Sequence, residues 1–303
     1  MKKFLCKAMC LFVCIWIIDI LAGQIFPYLI SNAKGGDNKR NNYICNQTFE
    51  DILIFGSSRA IHHYNPTLFT DSTGASCYNC GQNGNGIILH YGRLKMIVER
   101  YHPKYIIYDI TPGFDLLAGD DNHKYLNWLR AYYDRNGIAE IFESVDAMEK
   151  YKMMSNLYRY NSKFVQIVSD NLIPMQSVGI KGFRPLKGNL DSLKINRQRQ
   201  ERKTTPNYDP LKLAYFQKLI EMTQKSRLIF VISPIWYGMD EATYRPIKEL
   251  CEAHHIPFYD FANSPRYVHH DIYFRDGSHM NAYGADEFTK ELLSIITSEL
   301  TLQ

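Results

Sequence analysis

The feature of this sequence that most constrains its fold is an alternation of short apolar runs with longer amphipathic stretches. Residues 52–55 and 105–108 are continuous apolar runs, as strands buried on both faces require. Between them, residues 87–101 carry apolar side chains at helical spacing. The alternation resumes after residue 208. It predicts an α/β fold, a three-layer α/β/α sandwich with a parallel, flavodoxin-like sheet of about five strands.

The boundaries of the predicted elements follow from the same pattern. We expect strands at residues 52–55, 75–79, 105–110, 228–232 and 256–259, and helices at residues 87–101, 208–225, 240–254 and 282–298. Ligands of such sheets bind at the carboxyl ends of the strands.

The first thirty residues form a separate segment. Lys2, Lys3 and Lys7 precede an apolar run over residues 8–30, which is long enough to cross a bilayer core of about 30 Å as a helix. We interpret residues 1–30 as an uncleaved signal anchor, a single transmembrane helix. The alternatives are a cleaved signal peptide and, last, a buried helix of a soluble protein. Lysines before the span put the N-terminus in the cytoplasm, so the rest of the chain would be extracytoplasmic, either periplasmic or extracellular.

The remainder is interpreted as a linker at 31–49 and one domain at 50–303, with an inserted helical and basic segment at about 114–206. Helices are predicted in the insertion at 137–150 and 151–170. The net charge of the chain is only +4, but residues 150–203 hold twelve cations and three anions. A solvated helix face is one interpretation. Outside a membrane, this segment would also meet anionic headgroups or an acidic glycan. We predict no nucleic-acid partner, and the oligomeric state stays open.

Of the seven cysteines, Cys77 and Cys80 have the spacing of half a metal or redox motif. No second pair accompanies them, so we expect core residues, and any disulfide pairing stays open. We predict no cofactor and no metal site.

Two short motifs carry the chemistry. Gly56-Ser57-Ser58 follows the first predicted strand, and a serine at such a turn presents its hydroxyl at the edge of the sheet. Asp276 stands three residues before His279, just before the last predicted helix. A carboxylate in that place can orient an imidazole, which in turn takes a proton from a serine.

Together, in this order, the two motifs resemble the first and last blocks of the SGNH/GDSL hydrolase family. The resemblance covers about residues 50–113 and 208–300. It implies that Ser58 is the nucleophile, His279 the base and Asp276 the residue that orients it. Ser57 stands where the family often has aspartate.

The family's oxyanion hole is only partly matched. Asn79-x-Gly-x-x-Gly84 resembles its second block, which implies that the N–H groups of Gly84 and Ser58 hold the oxyanion. The third block, in which the family has an asparagine donor, has no asparagine at residues 109–115. Asn83 and Asn85 are the nearest alternatives.

Other residues are predicted to surround this site. Trp236 and Tyr237 follow the fourth strand, where they would contact an acyl group or a sugar, or pack in the core. We expect His62 and His63 to face solvent or to cap a helix, and the alternative is that one of them faces the cleft.

The resemblance implies a serine esterase or deacylase that acts through an acyl-enzyme, with O-acylated envelope carbohydrate as the expected substrate. Two alternatives remain: an O-acyltransferase with the same triad, and a catalytically silent glycan-binding or assembly component.

Overall fold

The computed structural model describes residues 1–173, 179–191 and 205–300. The chain divides into two compact units. The first consists of Met1–Gln47 and Asn122–Ser177, and the second of Thr48–Asp121 and Val178–Gln303.

The second unit is built on a five-stranded, wholly parallel sheet. Its strands are β1 (Ile52–Gly56), β2 (Cys77–Asn79), β3 (Tyr105–Asp109), β4 (Arg227–Ile232) and β5 (Phe258–Asp260). Their spatial order is β2-β1-β3-β4-β5, the doubly wound order of flavodoxin-like sheets. The predicted fold class is therefore confirmed.

The helices of the described residues, in both units, follow in chain order. They are α1 (Lys2–Ser31), α2 (Gly36–Asn46), α3 (Ser58–His63), α4 (Pro66–Thr73), α5 (Ile87–Val98), α6 (Pro112–Asp115), α7 (Ala139–Val145), α8 (Glu149–Lys152), α9 (Asn156–Tyr160), α10 (Phe164–Leu172), α11 (Pro210–Met222), α12 (Arg245–His254) and α13 (Ala282–Leu300).

Helices cover both faces of the sheet because every central strand is apolar on both faces. On one face, Ile54 and Ile107 lie in a buried cluster with Phe288 of α13. On the other, Tyr108 of β3 packs against Phe216 of α11, with ring centroids 5.5 Å apart. Each such side chain contributes about 1.5–3 kcal/mol on burial. The packing holds the strand ends in fixed register, with Gly56 beside Asp109.

In the first unit, α1 has 30 residues and is long and apolar enough to cross a membrane. Its side chains from Phe4 to Leu21 are largely exposed. By length and composition, this is the one such helix among the residues that the structure describes.

The segment predicted as a linker is structured. Helix α2 occupies most of it, and buried Asn38 donates a hydrogen bond of 2.8 Å from Nδ2 to Asp170 Oδ2 of α10. Asn41 donates likewise to the carbonyl of Trp128. The polar residues that suggested a linker make these hydrogen bonds, and their acceptors lie in the inserted segment.

The insertion is more broken than predicted. Residues 137–150 and 151–170 form the short helices α7 to α10 instead of two long ones. Within the basic tract, residues 174–178 and 192–204 lie outside the described residues, and with them five of the twelve cations.

Candidate active site

The serine predicted as nucleophile lies at the carboxyl end of β1. Gly56 ends the strand with φ 135°, and a Cβ on it would lie 2.5 Å from the carbonyl oxygen of Asp109. Only glycine fits this position, because both the backbone angle and the neighbouring strand exclude a side chain. The sharp turn that results places Ser58 at the first residue of α3.

The structure brings Ser58, His279 and Asp276 together. Ser58 Oγ lies 2.8 Å from His279 Nε2. His279 Nδ1 lies 3.0 Å from each carboxylate oxygen of Asp276. Ser58 and His279 are 221 residues apart in sequence. The distances are those of a hydrogen-bonded serine, base and orienting carboxylate.

The loop of the last motif holds its own carboxylate in place. Asp276 Oδ1 accepts the backbone N–H groups of Ser278 at 2.8 Å and of His279 at 2.9 Å. Partial burial acts to raise the pKa of Asp276, but the hydrogen bonds from His279 and Ser278 outweigh it and leave that pKa below its usual value. The carboxylate is therefore kept ionised beside the imidazole.

The prediction that His62 and His63 face solvent or cap a helix is wrong. His63 is fully buried, its Nε2 accepts the N–H of Met280 at 3.0 Å, and its Nδ1 lies 3.0 Å from Ser233 Oγ. His62 is 8% exposed, and its ring centroid lies 5.5 Å from that of His279. Burial lowers the pKa of His62, and that of His63 falls well below its usual value. Both imidazoles flank His279 because α3 turns them inward.

Beneath the nucleophile lies a buried ion pair that sequence reasoning missed. Arg59 Nε lies 3.7 Å from Asp109 Oδ2, and both side chains are almost wholly buried. Arg59 also donates to the carbonyl groups of Ile110 and Ser233, which follow β3 and β4. Asp109 Oδ1 accepts the hydroxyl of Tyr64 at 2.8 Å. Arg59 thus ties α3 to two strand ends.

The two polar residues of this cluster could have been noticed in the sequence. Arg59 directly follows Ser58, and Asp109 ends an apolar strand. Burial raises the pKa of Asp109, while Arg59 and the hydrogen bond from Tyr64 oppose that rise. A further buried carboxyl, Asp115, accepts the hydroxyl of Tyr108 and has its pKa raised by burial to about 7.

The loop after β2 carries Gly84, one of the two residues predicted to hold the oxyanion. Asn79 donates from Nδ2 to the carbonyls of Ala60 and Tyr64, and its Oδ1 accepts the N–H of Gly81. The loop is thereby fastened to α3. Gly84 has φ 65° and is half-buried. Among the described residues, neither its N–H nor that of Ser58 donates a hydrogen bond, so both are available to an anion.

The remaining predicted residues lie close to the same loops. Asn85 is buried and donates to the carbonyl of Asn83, which is exposed. Trp236 is 7% exposed and belongs to the core cluster. Tyr237 packs on the last motif, since a Cβ on Gly277 would lie 2.2 Å from its ring.

Cys77 and Cys80 lie in the core, as predicted from the lack of a second cysteine pair in the sequence. Both are buried thiols that no disulfide joins. Burial raises the pKa of the Cys77 thiol well above its usual value, which makes it unreactive.

A cluster of His123, Asp146 and Glu149 in the first unit has the ligand types of a metal site. The ammonium group of Lys152 already lies 2.7 Å from Asp146 and 3.1 Å from Glu149. The positive charge of Lys152 offsets part of their negative charge, so ion pairing explains why these residues lie together.

No family model matches the sequence, and no curated protein matches it. Solved structures are similar to this chain only at low identity and low TM-score. A two-domain esterase (CEX) active on acetylated mannans is 9% identical with a TM-score of 0.40, covering 83% of this chain and 49% of that one. This chain thus spans about half the length of that esterase.

Two further structures have similar values. An acetyl xylan esterase (Est2A) from the rumen bacterium Butyrivibrio proteoclasticus is 10% identical with a TM-score of 0.37, over 82% of this chain and 64% of its own. A Streptococcus pneumonia protein, provisionally described as a platelet activating factor, is 11% identical with a TM-score of 0.42, over 95% and 98%.

Proposed function

We propose that this protein is a serine esterase of the SGNH type. Ser58 is the nucleophile, His279 the general base and Asp276 the carboxylate that orients it. The observation that carries the proposal is the continuous chain of hydrogen bonds from Ser58 Oγ through His279 to Asp276, at 2.8 and 3.0 Å.

In the first step, Ser58 Oγ attacks the carbonyl carbon of an ester while His279 Nε2 takes the hydroxyl proton. The negative charge that develops on the carbonyl oxygen is held by the N–H groups of Ser58 and Gly84. The bond between the acyl carbon and the alcohol oxygen then breaks. His279 gives its proton to the leaving alcohol, and the acyl group stays on Ser58.

In the second step, water attacks the acyl-enzyme, with His279 again acting as base. The acid leaves and the proton returns to Ser58 Oγ. Asp276 stays ionised throughout, since its hydrogen bonds lower its pKa. A fixed carboxylate keeps the proton of neutral His279 on Nδ1, which leaves Nε2 free to accept from serine.

We propose O-acylated carbohydrate of the cell envelope as the substrate class. We further propose that α1 anchors the protein in the membrane and so keeps it close to that substrate. The three lysines before the apolar run favour a cytoplasmic N-terminus and an extracytoplasmic second unit. Recovery of the full-length protein in the soluble fraction would contradict the anchoring.

The test is hydrolysis of an aryl acetate by the full-length protein in detergent. Replacing Ser58 by alanine removes the nucleophile, so turnover should fall by about 10⁴-fold or more. Ser57→Ala is the matched control, because the buried hydroxyl of Ser57 has no hydrogen-bond partner in the described chain. Equal activity of wild type and Ser58→Ala would refute the proposal.

An added glycan acceptor separates hydrolase from transferase. If the acetyl group appears on the glycan and not in free acetate, the same triad serves an O-acyltransferase. If neither product depends on Ser58, the protein is a binding or assembly component.

A further inference from the structure

We propose that helices α9 and α10 of the first unit are embedded in the membrane surface beside α1, and that the groove between them and α1 is filled by lipid acyl chains. This inference rests on the proposed anchoring by α1 and is independent of ester hydrolysis.

The first observation is that α10, which buries Ile167 and Asp170, leaves most of its other large apolar side chains exposed. Its buried residues include Asp170, whose carboxylate accepts two hydrogen bonds from Asn38 of α2. Its exposed residues are apolar: Val165, Leu172 and the following Ile173 are 77%, 76% and 74% exposed. A helix that hides an acid and exposes a stripe of large apolar residues is suited to a hydrocarbon environment.

The second observation is a groove of about 580 Å³ along the same surface. It is lined by apolar residues of α1, among them Ile18, Leu21 and Ile25, and by Leu157 and Phe164 from the inserted helices. These three lining residues of α1 are also among its exposed apolar side chains. An occupant must therefore be apolar, and it must reach the groove from the surface that α1 presents to a membrane.

The third observation concerns the one acidic residue of the apolar run. Asp19 accepts hydrogen bonds from Ser155 Oγ at 2.7 Å, from the N–H of Leu157 at 2.8 Å and from Asn156 Nδ2 at 3.1 Å. An acid in a membrane helix is tolerated where protein groups satisfy it. Here the start of α9 supplies every donor, so α9 accompanies α1 to the depth of Asp19.

The depth can be worked out along α1. From Lys7 to Phe26 is about 29 Å at about 1.5 Å per residue, close to a hydrocarbon core of about 30 Å. Phe26 therefore lies near the far boundary of the core, and Phe164 of α10 packs on it with ring centroids 5.7 Å apart.

The loop that holds Asp19 lies deeper. Asp19 is about 10 Å short of Phe26 along the helix. The neighbouring Met154, which is 78% exposed, would then enter the leaflet. Surface-bound amphipathic helices are typically buried about 5–10 Å, so the expected depth of this loop agrees with that mode of binding.

The experiment is depth-dependent quenching in phosphatidylcholine–phosphatidylglycerol vesicles. The full-length protein carries Cys6, Cys10 and Cys14 replaced by alanine, because these are its exposed cysteines. An environment-sensitive fluorophore is then attached at Val165→Cys. Matched variants are Ile17→Cys on α1 and Ile295→Cys on α13 of the second unit, which are likewise exposed apolar positions.

We expect doxyl-labelled lipids to quench the label at position 165 several-fold and to shift its emission to the blue, as at position 17. The label at position 295 should stay unaffected. Quenching at 17 with none at 165 overturns the inference but leaves the anchoring by α1 intact. If neither position is quenched, α1 is not inserted and both fail.

Discussion

Replacing Asp276 by asparagine tests the mechanism more sharply than removing the nucleophile. The carboxylate accepts the Nδ1 proton of His279 and two backbone N–H groups of its own loop. The amide oxygen of asparagine can still accept the backbone N–H groups, so the loop should keep its shape. The amide nitrogen would donate to His279 Nδ1 and force the ring proton onto Nε2, which then cannot accept from Ser58.

The magnitude follows from the distance and the exposure. Two unit charges 4 Å apart interact by about 4 kcal/mol near a protein surface and by about 1 kcal/mol in bulk water. Asp276 is 53% exposed, so we take about 2–3 kcal/mol for its stabilisation of the imidazolium. At about 1.4 kcal/mol per tenfold, this alone corresponds to about 30–150-fold in rate. The wrong tautomer of His279 lowers the rate further, so we expect kcat/KM of Asp276→Asn to fall by about 10²–10³-fold in total.

The assay is kcat/KM for aryl acetate, with thermal unfolding of the same samples. The asparagine variant should unfold within a few degrees of wild type, since its loop contacts remain. A loss of less than about fivefold in a folded variant would refute the role of Asp276, whatever the behaviour of Ser58→Ala.

Three further predictions concern the support of the site. Gly56→Ala places a Cβ 2.5 Å from a backbone oxygen and should lower stability by about 3 kcal/mol or more. Gly74 also has a positive φ, 71°, but open space where a Cβ would lie, so Gly74→Ala should cost about 1–2 kcal/mol. Similar losses of the two variants in thermal unfolding would contradict the steric argument. His63→Leu leaves the buried N–H of Met280 without its acceptor and removes one hydrogen-bond partner of the buried Ser233 hydroxyl, which should cost about 2–5 kcal/mol by denaturant titration. An unchanged midpoint would refute the hydrogen bonds. Asp115, with its pKa raised to about 7, holds its proton in the folded state at pH values where the unfolded state has lost it. Its contribution to stability is therefore fully present below about pH 4 and is lost as the pH rises towards 7. Asp115→Asn should remove this part of the pH dependence of unfolding, and an unaltered slope would contradict the raised pKa.

The sheet could be predicted because each buried parallel strand is a short, contiguous apolar run in the sequence, such as residues 52–55. The two motifs could be found for the same reason, since Ser58 and the pair Asp276–His279 each stand beside such an element. What the sequence left open was whether they meet. The resemblance to a family predicted that Ser58 lies next to His279. In the structure, the packing of α3 against α13 brings the two residues together.

The errors have a common physical cause. His63 looked like a surface residue because its partner, Met280, is 217 residues away. Residues 31–49 looked like a linker because Asn38 and its neighbours are polar, yet Asp170 satisfies Asn38 from 132 residues away. The burial of polar residues is hard to predict when their partners are distant in sequence, because only hydrogen bonds to those partners offset the cost of desolvation.

The inner support of Ser58 consists of groups that compensate one another. Arg59 and Asp109 are buried as a pair, and a buried charge without its partner is strongly destabilising. His63 accepts a backbone N–H at Nε2, which fixes it as neutral with its proton on Nδ1. In the proposed reaction, His279 gains and loses a proton while Asp276 stays ionised beside it, and both side chains are partly exposed. We therefore expect mutations in the inner support to lower stability first, and mutations of the outer pair to lower kcat without unfolding the protein.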